Sequence, residues 1–230
     1  MAAPLRVVIG ISGGIAAYKI PQLIRLLTKQ NVEVKTVITP SAEKLVGEEA
    51  VRTVSSNPVY GDKVSFFDMD HIRLADWADL YLICPATANT IAKITHGIAD
   101  NLLTTLALSI PETKIAVVPA MNTVMWQNSA TQANIKQLKS RGVFVFPVDS
   151  GELACGSSGL GRMIAVEDIA EWVAAFSRKT GVLSGKTVLI SSGPTEEPID
   201  PVRVITNRST GKMGAALARE ALALGANVIV

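Results

Sequence analysis

The sequence is poor in the side chains from which proteins build metal centres and covalent frameworks: two cysteines (Cys84, Cys155) and two histidines (His71, His96) in 230 residues. Two thiols make no disulfide framework, and their flanks carry no zinc spacing. So few imidazoles leave no His/Cys metal cluster. Redox or proton chemistry therefore rests on isolated groups or on a borrowed cofactor. Charge is scarce as well, at 18% of residues, and nearly balanced, with 22 Lys and Arg against 20 Asp and Glu for a net +2. Without a basic run there is no face to neutralise phosphates, so nucleic acid is not an expected partner. Long apolar runs are also missing. Mean hydropathy is +0.32, yet no stretch approaches the ~20 uninterrupted residues of a spanning helix, so no membrane partner is expected. The opening Met1-Ala2-Ala3-Pro4 leads into a strand-like run without the basic-then-apolar layout of a signal peptide. The expectation is a cytoplasmic protein.

Apolar surface is plentiful at 48% of residues, which excludes intrinsic disorder. A chain of this size buries roughly 70–75% of its unfolded surface and needs no staple. Apolar, β-branched runs at Arg6–Ile11, Val32–Ile38, Leu80–Cys84, Ile115–Val118, Val143–Phe146, Thr187–Ile190 and Asn227–Val230 alternate with helical patterns. Ile20, Leu23, Ile24 and Leu27 recur at i, i+3, i+4, i+7, and Ile169, Trp172, Val173 and Phe176 do the same. Strands without polar alternation, separated by amphipathic helices, predict an α/β doubly wound parallel sheet covered on both faces. Ligands of such sheets sit outside the carboxyl ends of the strands. The pattern breaks over Ser177–Gly185, which predicts a domain at 1–178, a linker at 179–185 and a restart at 186–230. That restart reads as an incomplete βαβ opening of a second α/β domain, since about 45 residues are too few for an independent core.

The loops after the strands carry the informative residues. Gly10-Ile11-Ser12-Gly13-Gly14-Ile15 lacks the glycine spacing of a dinucleotide fingerprint, and Thr39-Pro40-Ser41 after the second run offers no carboxylate to a ribose diol. Both loops suit a mononucleotide phosphate held by backbone N–H groups; a tight strand-to-helix turn is the other reading. In Cys84-Pro85-Ala86-Thr87-Ala88-Asn89-Thr90, Thr87 and Asn89 are capping types, while the small residues leave room for a flat ring. Cys84 reads as buried and inert. Asn122, in Pro119-Ala120-Met121-Asn122, is either a cap or an amide facing a ligand carboxylate. His71 reads as a surface or capping residue or as a site histidine. The glycine-rich stretch Gly151–Met163 fits a mobile lid, within which Cys155 is a spectator or a proton donor.

Read in order, Ser-Gly-Gly-Ile-Ala-Ala-Tyr-Lys at 12–19, His71, Pro-Ala-Thr-Ala-Asn-Thr at 85–90, Pro-Ala-Met-Asn-x-x-Met-Trp at 119–126 and Ala-Cys-Gly-x-x-Gly-x-Gly-Arg-Met at 154–163 closely resemble the flavin-dependent cysteine decarboxylases. Within that family they are most similar to the decarboxylase halves of bifunctional coenzyme A biosynthesis proteins. The resemblance runs from residue 5 to about 178. The stretches 191–203 and 206–214 look like the start of the companion ligase half, whose downstream CTP-binding segments are not in this sequence. CTP and Mg2+ therefore belong only to a full-length ligase, and ligation by this chain is not expected.

The resemblance implies a flavodoxin-like fold, FMN as cofactor, and a homo-oligomer, a trimer or an assembly of trimers, with flavin near subunit interfaces. It implies cofactor contacts from Ser12, Gly13, Gly14, Thr39, Ser41, Thr87, Ala88, Asn89, Thr90 and Ala120. Substrate contacts are implied for Asn122, Met125, Ala154, Gly156, Arg162 and Met163, and the catalytic set is His71, Asn122 and Cys155. The implied reaction is decarboxylation of 4′-phosphopantothenoylcysteine to 4′-phosphopantetheine. Direct loss of carbon dioxide would leave charge on an unactivated carbon, whereas prior oxidation of the thiol to a thioaldehyde supplies an electron sink. The competing readings are a flavin prenyltransferase-like enzyme, a non-catalytic flavin-binding regulatory subunit and, weakest, an NAD-dependent reductase.

Overall fold

The computed structural model describes residues 4–61, 69–152, 158–177, 182–183 and 185–230. The chain divides into two units, Met1–Ala170 and Glu171–Val230. The first opens with β1 (Leu5–Ile11), α1 (Ile20–Lys29), β2 (Val32–Ile38), the single turn α2 (Pro40–Glu43), α3 (Glu48–Ser55) and β3 (Val59–Tyr60). It continues with α4 (Asp70–Trp77), β4 (Leu80–Ala86), α5 (Ala88–His96), α6 (Leu102–Ser109), β5 (Ile115–Pro119), α7 (Thr123–Gln127), α8 (Ser129–Ser140) and β6 (Phe144–Val145). A hairpin of β7 (Asp149–Glu152) and β8 (Ser158–Arg162) follows, and then α9 (Val166–Ser177) begins.

The six-stranded sheet is parallel throughout, in the order β3-β2-β1-β4-β5-β6. Without its two-residue edge strand β3 it has the flavodoxin order 2-1-3-4-5, as the resemblance implies. Burial explains the central strands: all seven residues of β4 are buried, and Val7, Val8 and Ile9 of β1 are fully enclosed. The stripe Ile20, Leu23, Ile24 and Leu27 is wholly buried, as its spacing predicts. Each such side chain contributes about 1.5–3 kcal/mol by leaving water. Tyr81 of β4 occupies the space left by Gly10 of β1, where a Cβ would lie 2.6 Å from the tyrosine oxygen. Its hydroxyl donates to the Leu103 carbonyl at 2.9 Å and so ties the start of α6 to the sheet. Among the described residues no helix is long and apolar enough to cross a membrane.

In the second unit β9 (Thr187–Leu189) pairs in parallel with β12 (Asn227–Ile229) beside α10 (Lys212–Ala223). The connection from β9 to α10, which the sequence does not mark as strand, contains a hairpin, β10 (Glu196–Pro198) with β11 (Val204–Thr206). Between residues 186 and 230 the buried hydrophobics are alanines, Ala218, Ala221, Ala223 and Ala226, whereas Leu189, Ile205, Met213, Leu217 and Ile229 are exposed. Methyl-sized burial returns little against the ~1–2 kcal/mol per residue of lost backbone entropy. Residues 186–230 expressed alone are therefore expected to show no cooperative thermal transition by circular dichroism; a sharp melt would contradict this ledger of burial.

Candidate functional site

The strand order reverses between β1 and β4, and a cleft of about 1120 Å³ opens beyond their carboxyl ends. That lies at the large end of the ~300–1,000 Å³ typical of ligand pockets. Ser12, Gly13 and Gly14 line it from β1, Thr39 and Ser41 from β2, Thr87, Asn89 and Thr90 from β4, and Ala120, Asn122 and Met125 from β5. Arg162 and Met163 close one wall from the end of β8.

Ser12 joins two of these loops. Its buried hydroxyl donates to the Pro85 carbonyl at 2.7 Å and accepts the Thr87 N–H at 3.1 Å. The Cys84–Pro85 peptide just before them is cis. At Gly13 a Cβ would overlap the Ser41 side chain, and at Gly14 it would lie 3.3 Å from the Thr87 methyl. Glycine there lets the backbone approach the neighbouring loops, and the Gly14 N–H turns back onto the Ser12 carbonyl at 2.8 Å. Thr39, Thr87 and Asn122 are each N-caps, accepting from Ala42 (3.3 Å), Thr90 (3.3 Å) and Met125 (2.8 Å) respectively. Capping and cleft lining are thus compatible. The Asn122 Oδ1 is spent on its helix, while the amide NH₂ remains available to an anion.

Charge in the cleft is mainly cationic. Lys19, Lys93 and Arg162 line it. Lys93 pairs with Asp100, and that hydrogen bond holds the Asp100 carboxyl below the usual carboxylate range. Asn101, beside Asp100, closes a capping box with Thr104 at the start of α6 and also faces the cleft. Cys84 is fully buried below the cleft, with its Sγ 3.7 Å from the Met163 Sδ. Burial pushes its thiol far up, which keeps it protonated and fits the reading of Cys84 as inert.

Some residues named from sequence lie elsewhere. Ala88 opens α5 but is not part of the cleft wall, and His71, half-buried on the first turn of α4, is likewise outside it. Ala154, Cys155 and Gly156 lie outside the described residues. Conversely, Tyr18, Lys19, Lys93, Asn101 and Leu103 line the cleft although the sequence did not assign them to the site. The capping pattern Asn101-x-x-Thr104 was legible as a helix start, but not its direction toward the site.

A family model described as Flavoprotein matches residues 1–178, and one described as DNA/pantothenate metabolism flavoprotein C-terminal domain matches residues 183–230. The coenzyme A biosynthesis bifunctional protein CoaBC of Vibrio parahaemolyticus is 46% identical over 226 residues, 97% of this chain and 56% of that protein. The chain thus spans about half the length of the curated relatives it matches. A solved PPC decarboxylase variant complexed with pantothenoylaminoethenethiol is 33% identical with a TM-score of 0.70, over 76% of this chain and 98% of that one. The FMN binding protein AtHal3 is 34% identical with a TM-score of 0.68, over 76% and 97%.

The buried Cys84 gives a simple test of the cleft floor. In the native protein Cys84 is expected to resist alkylation at pH 8, where a free thiol near its usual ~8.5 is partly ionised. It should react fully in denaturant, with mass mapping assigning the label. Rapid native labelling at Cys84 would show that the floor opens.

Proposed function

We propose, from the premise that the chain belongs to the flavoprotein family, that its cleft holds FMN and serves decarboxylation of 4′-phosphopantothenoylcysteine to 4′-phosphopantetheine. The observation that carries this reading is the meeting of the Ser12–Gly14, Thr39–Ser41 and Thr87–Thr90 loops with Asn122 around one cleft at the reversal of strand order. The overlap that a Cβ at Gly13 would make marks a backbone cradle suited to a phosphate or ring edge. Thr39-Pro40-Ser41, directly after β2, holds no carboxylate, in keeping with a mononucleotide rather than a dinucleotide. The relatives that make coenzyme A, the PPC decarboxylase variant and the FMN binding protein AtHal3 support the same cofactor and substrate.

Bound flavin supplies a reversible two-electron oxidation of the substrate thiol. The chain's own groups do the rest. Ser12, Gly13, Gly14 and the Thr87–Thr90 turn bind the cofactor, and the Asn122 amide, beside Met125 and Arg162, orients the substrate carboxylate. His71 takes the thiol proton, and Cys155 returns a proton to carbon after carbon dioxide has left. Because His71 lies outside the cleft wall of its own chain, we assign it to the cleft of a neighbouring copy in a homo-oligomer, a trimer or an assembly of trimers. We also assign 186–230 to the start of a separate domain, a division supported by the second family match.

Asn122→Asp separates capping from recognition, because aspartate caps a helix as well as asparagine. It is expected to keep flavin and lose turnover. A second carboxylate ~4 Å from the first costs up to about 4 kcal/mol at an effective dielectric near 20. Normal turnover would reduce Asn122 to a cap. His71→Asn and Cys155→Ser are expected to fail at different steps in an anaerobic single turnover. The first should release no carbon dioxide. The second should release it and stall at a product two hydrogens short, since an alcohol is a far weaker acid than a thiol near ~8.5. Cys155→Ser forming phosphopantetheine at the parent rate would remove Cys155 from the mechanism.

A further inference from the structure

Strand β8 runs directly beside the segment that carries Asn122, and two glycines set how closely. Met121 donates its N–H to the Gly161 carbonyl at 2.9 Å, the hydrogen bond that joins hairpin to loop. Gly161 has φ of +132°, and a Cβ there would overlap the Met121 carbonyl and lie 3.2 Å from the Asn122 carbonyl carbon. A Cβ at Gly159 would overlap the Thr123 hydroxyl. That hydroxyl is buried and, among the described residues, has no hydrogen-bond partner. The far end of β8 is anchored at Met163, which is 2% exposed and touches the Cys84 sulfur. Asn122 is therefore held between two contacts, Gly161 on Met121 and Gly159 on Thr123. Its own Oδ1 fixes the start of α7 through Met125.

We propose that β8 is a brace for Asn122, with Gly159 and Gly161 as positioning residues that set where its amide points in the cleft. Gly161 also lines the cleft and Gly159 does not, and both act on Asn122 through the backbone at 121–123. An added methyl at 159 pushes Thr123, and with it the first turn of α7, away from the hairpin. One at 161 breaks the Met121 hydrogen bond and displaces Asn122 itself. This role deepens the decarboxylase reading and rests on it where turnover is concerned. The geometric coupling between β8 and the 121–125 amides stands without it.

The test uses the full chain and compares Gly159→Ala, Gly161→Ala, Thr123→Ala and the double variant Gly159→Ala/Thr123→Ala, with Leu160→Ala on the exposed side of β8 as control. Hydrogen exchange at the Met121 and Met125 amides reads the brace directly, and kcat and KM are read alongside bound flavin. Gly159→Ala should deprotect the Met125 amide and lower kcat by roughly 10- to 100-fold at unchanged flavin content, the scale of an ångström misplacement. The double variant should return both to the Thr123→Ala level. Gly161→Ala should deprotect Met121, while Leu160→Ala should change nothing. A Gly159→Ala chain that fails to fold while the double variant folds also supports the brace. Unmoved amides in both glycine variants would overturn it, as would a double variant no better than Gly159→Ala. If the amides respond as expected but the parent chain turns over no 4′-phosphopantothenoylcysteine, the brace holds and the reaction reading fails.

Discussion

The Ser12 hydroxyl holds the Pro85 carbonyl and the Thr87 N–H together across the gap between the two strands at which the sheet reverses order. A parallel sheet sends its successive helices to opposite faces at that point, so the loops after β1 and β4 diverge and leave a crevice. Left alone, the buried polar ends of these loops would each lose water without replacement, at about 1–3 kcal/mol per group. One buried serine satisfies two of them and fixes the loop spacing at the same time. The cleft walls follow from that spacing: Gly13 against Ser41, Gly14 against Thr87, and Asn122 on the far side.

The core places these ends so accurately because its packing leaves little slack. β4 is buried along its whole length, Tyr81 fills the space beside Gly10, and α1 covers β1 and β2 with four fully enclosed side chains. A close-packed interior transmits a displacement rather than absorbing it. Small residues at the strand ends then become a shape requirement, since any added methyl has a named neighbour to meet. The same logic extends to β8, where two glycines bring a hairpin flush against the loop that bears Asn122.

Much of this was legible in the sequence, for physical reasons. Buried parallel strands must be apolar on both faces, so Val32–Ile38, Leu80–Cys84 and Ile115–Val118 announce themselves, and α1 shows its stripe. Elements that draw their stability from pairing alone do not. β3 has two residues, β7 and β8 are mostly polar or glycine, and β10 is Glu196-Glu197-Pro198, which reads as loop. At the site, the loops at 12–14, 39–41, 87–90 and 120–122 follow from strand ends plus small or capping residues. Lys93, Asn101 and Leu103 do not, because their approach to the cleft depends on how α5 and α6 return across the sheet. His71 shows the opposite limit: the family resemblance singles it out, yet its place on α4 is outside the wall of the cleft.

Whether the cleft holds flavin mononucleotide is read from the visible spectrum of the purified chain, taken before and after heat release of any bound cofactor. A flavin spectrum and released FMN, close to one per chain, with FAD absent, are expected. A colourless protein that takes up neither flavin on reconstitution would contradict an FMN site there.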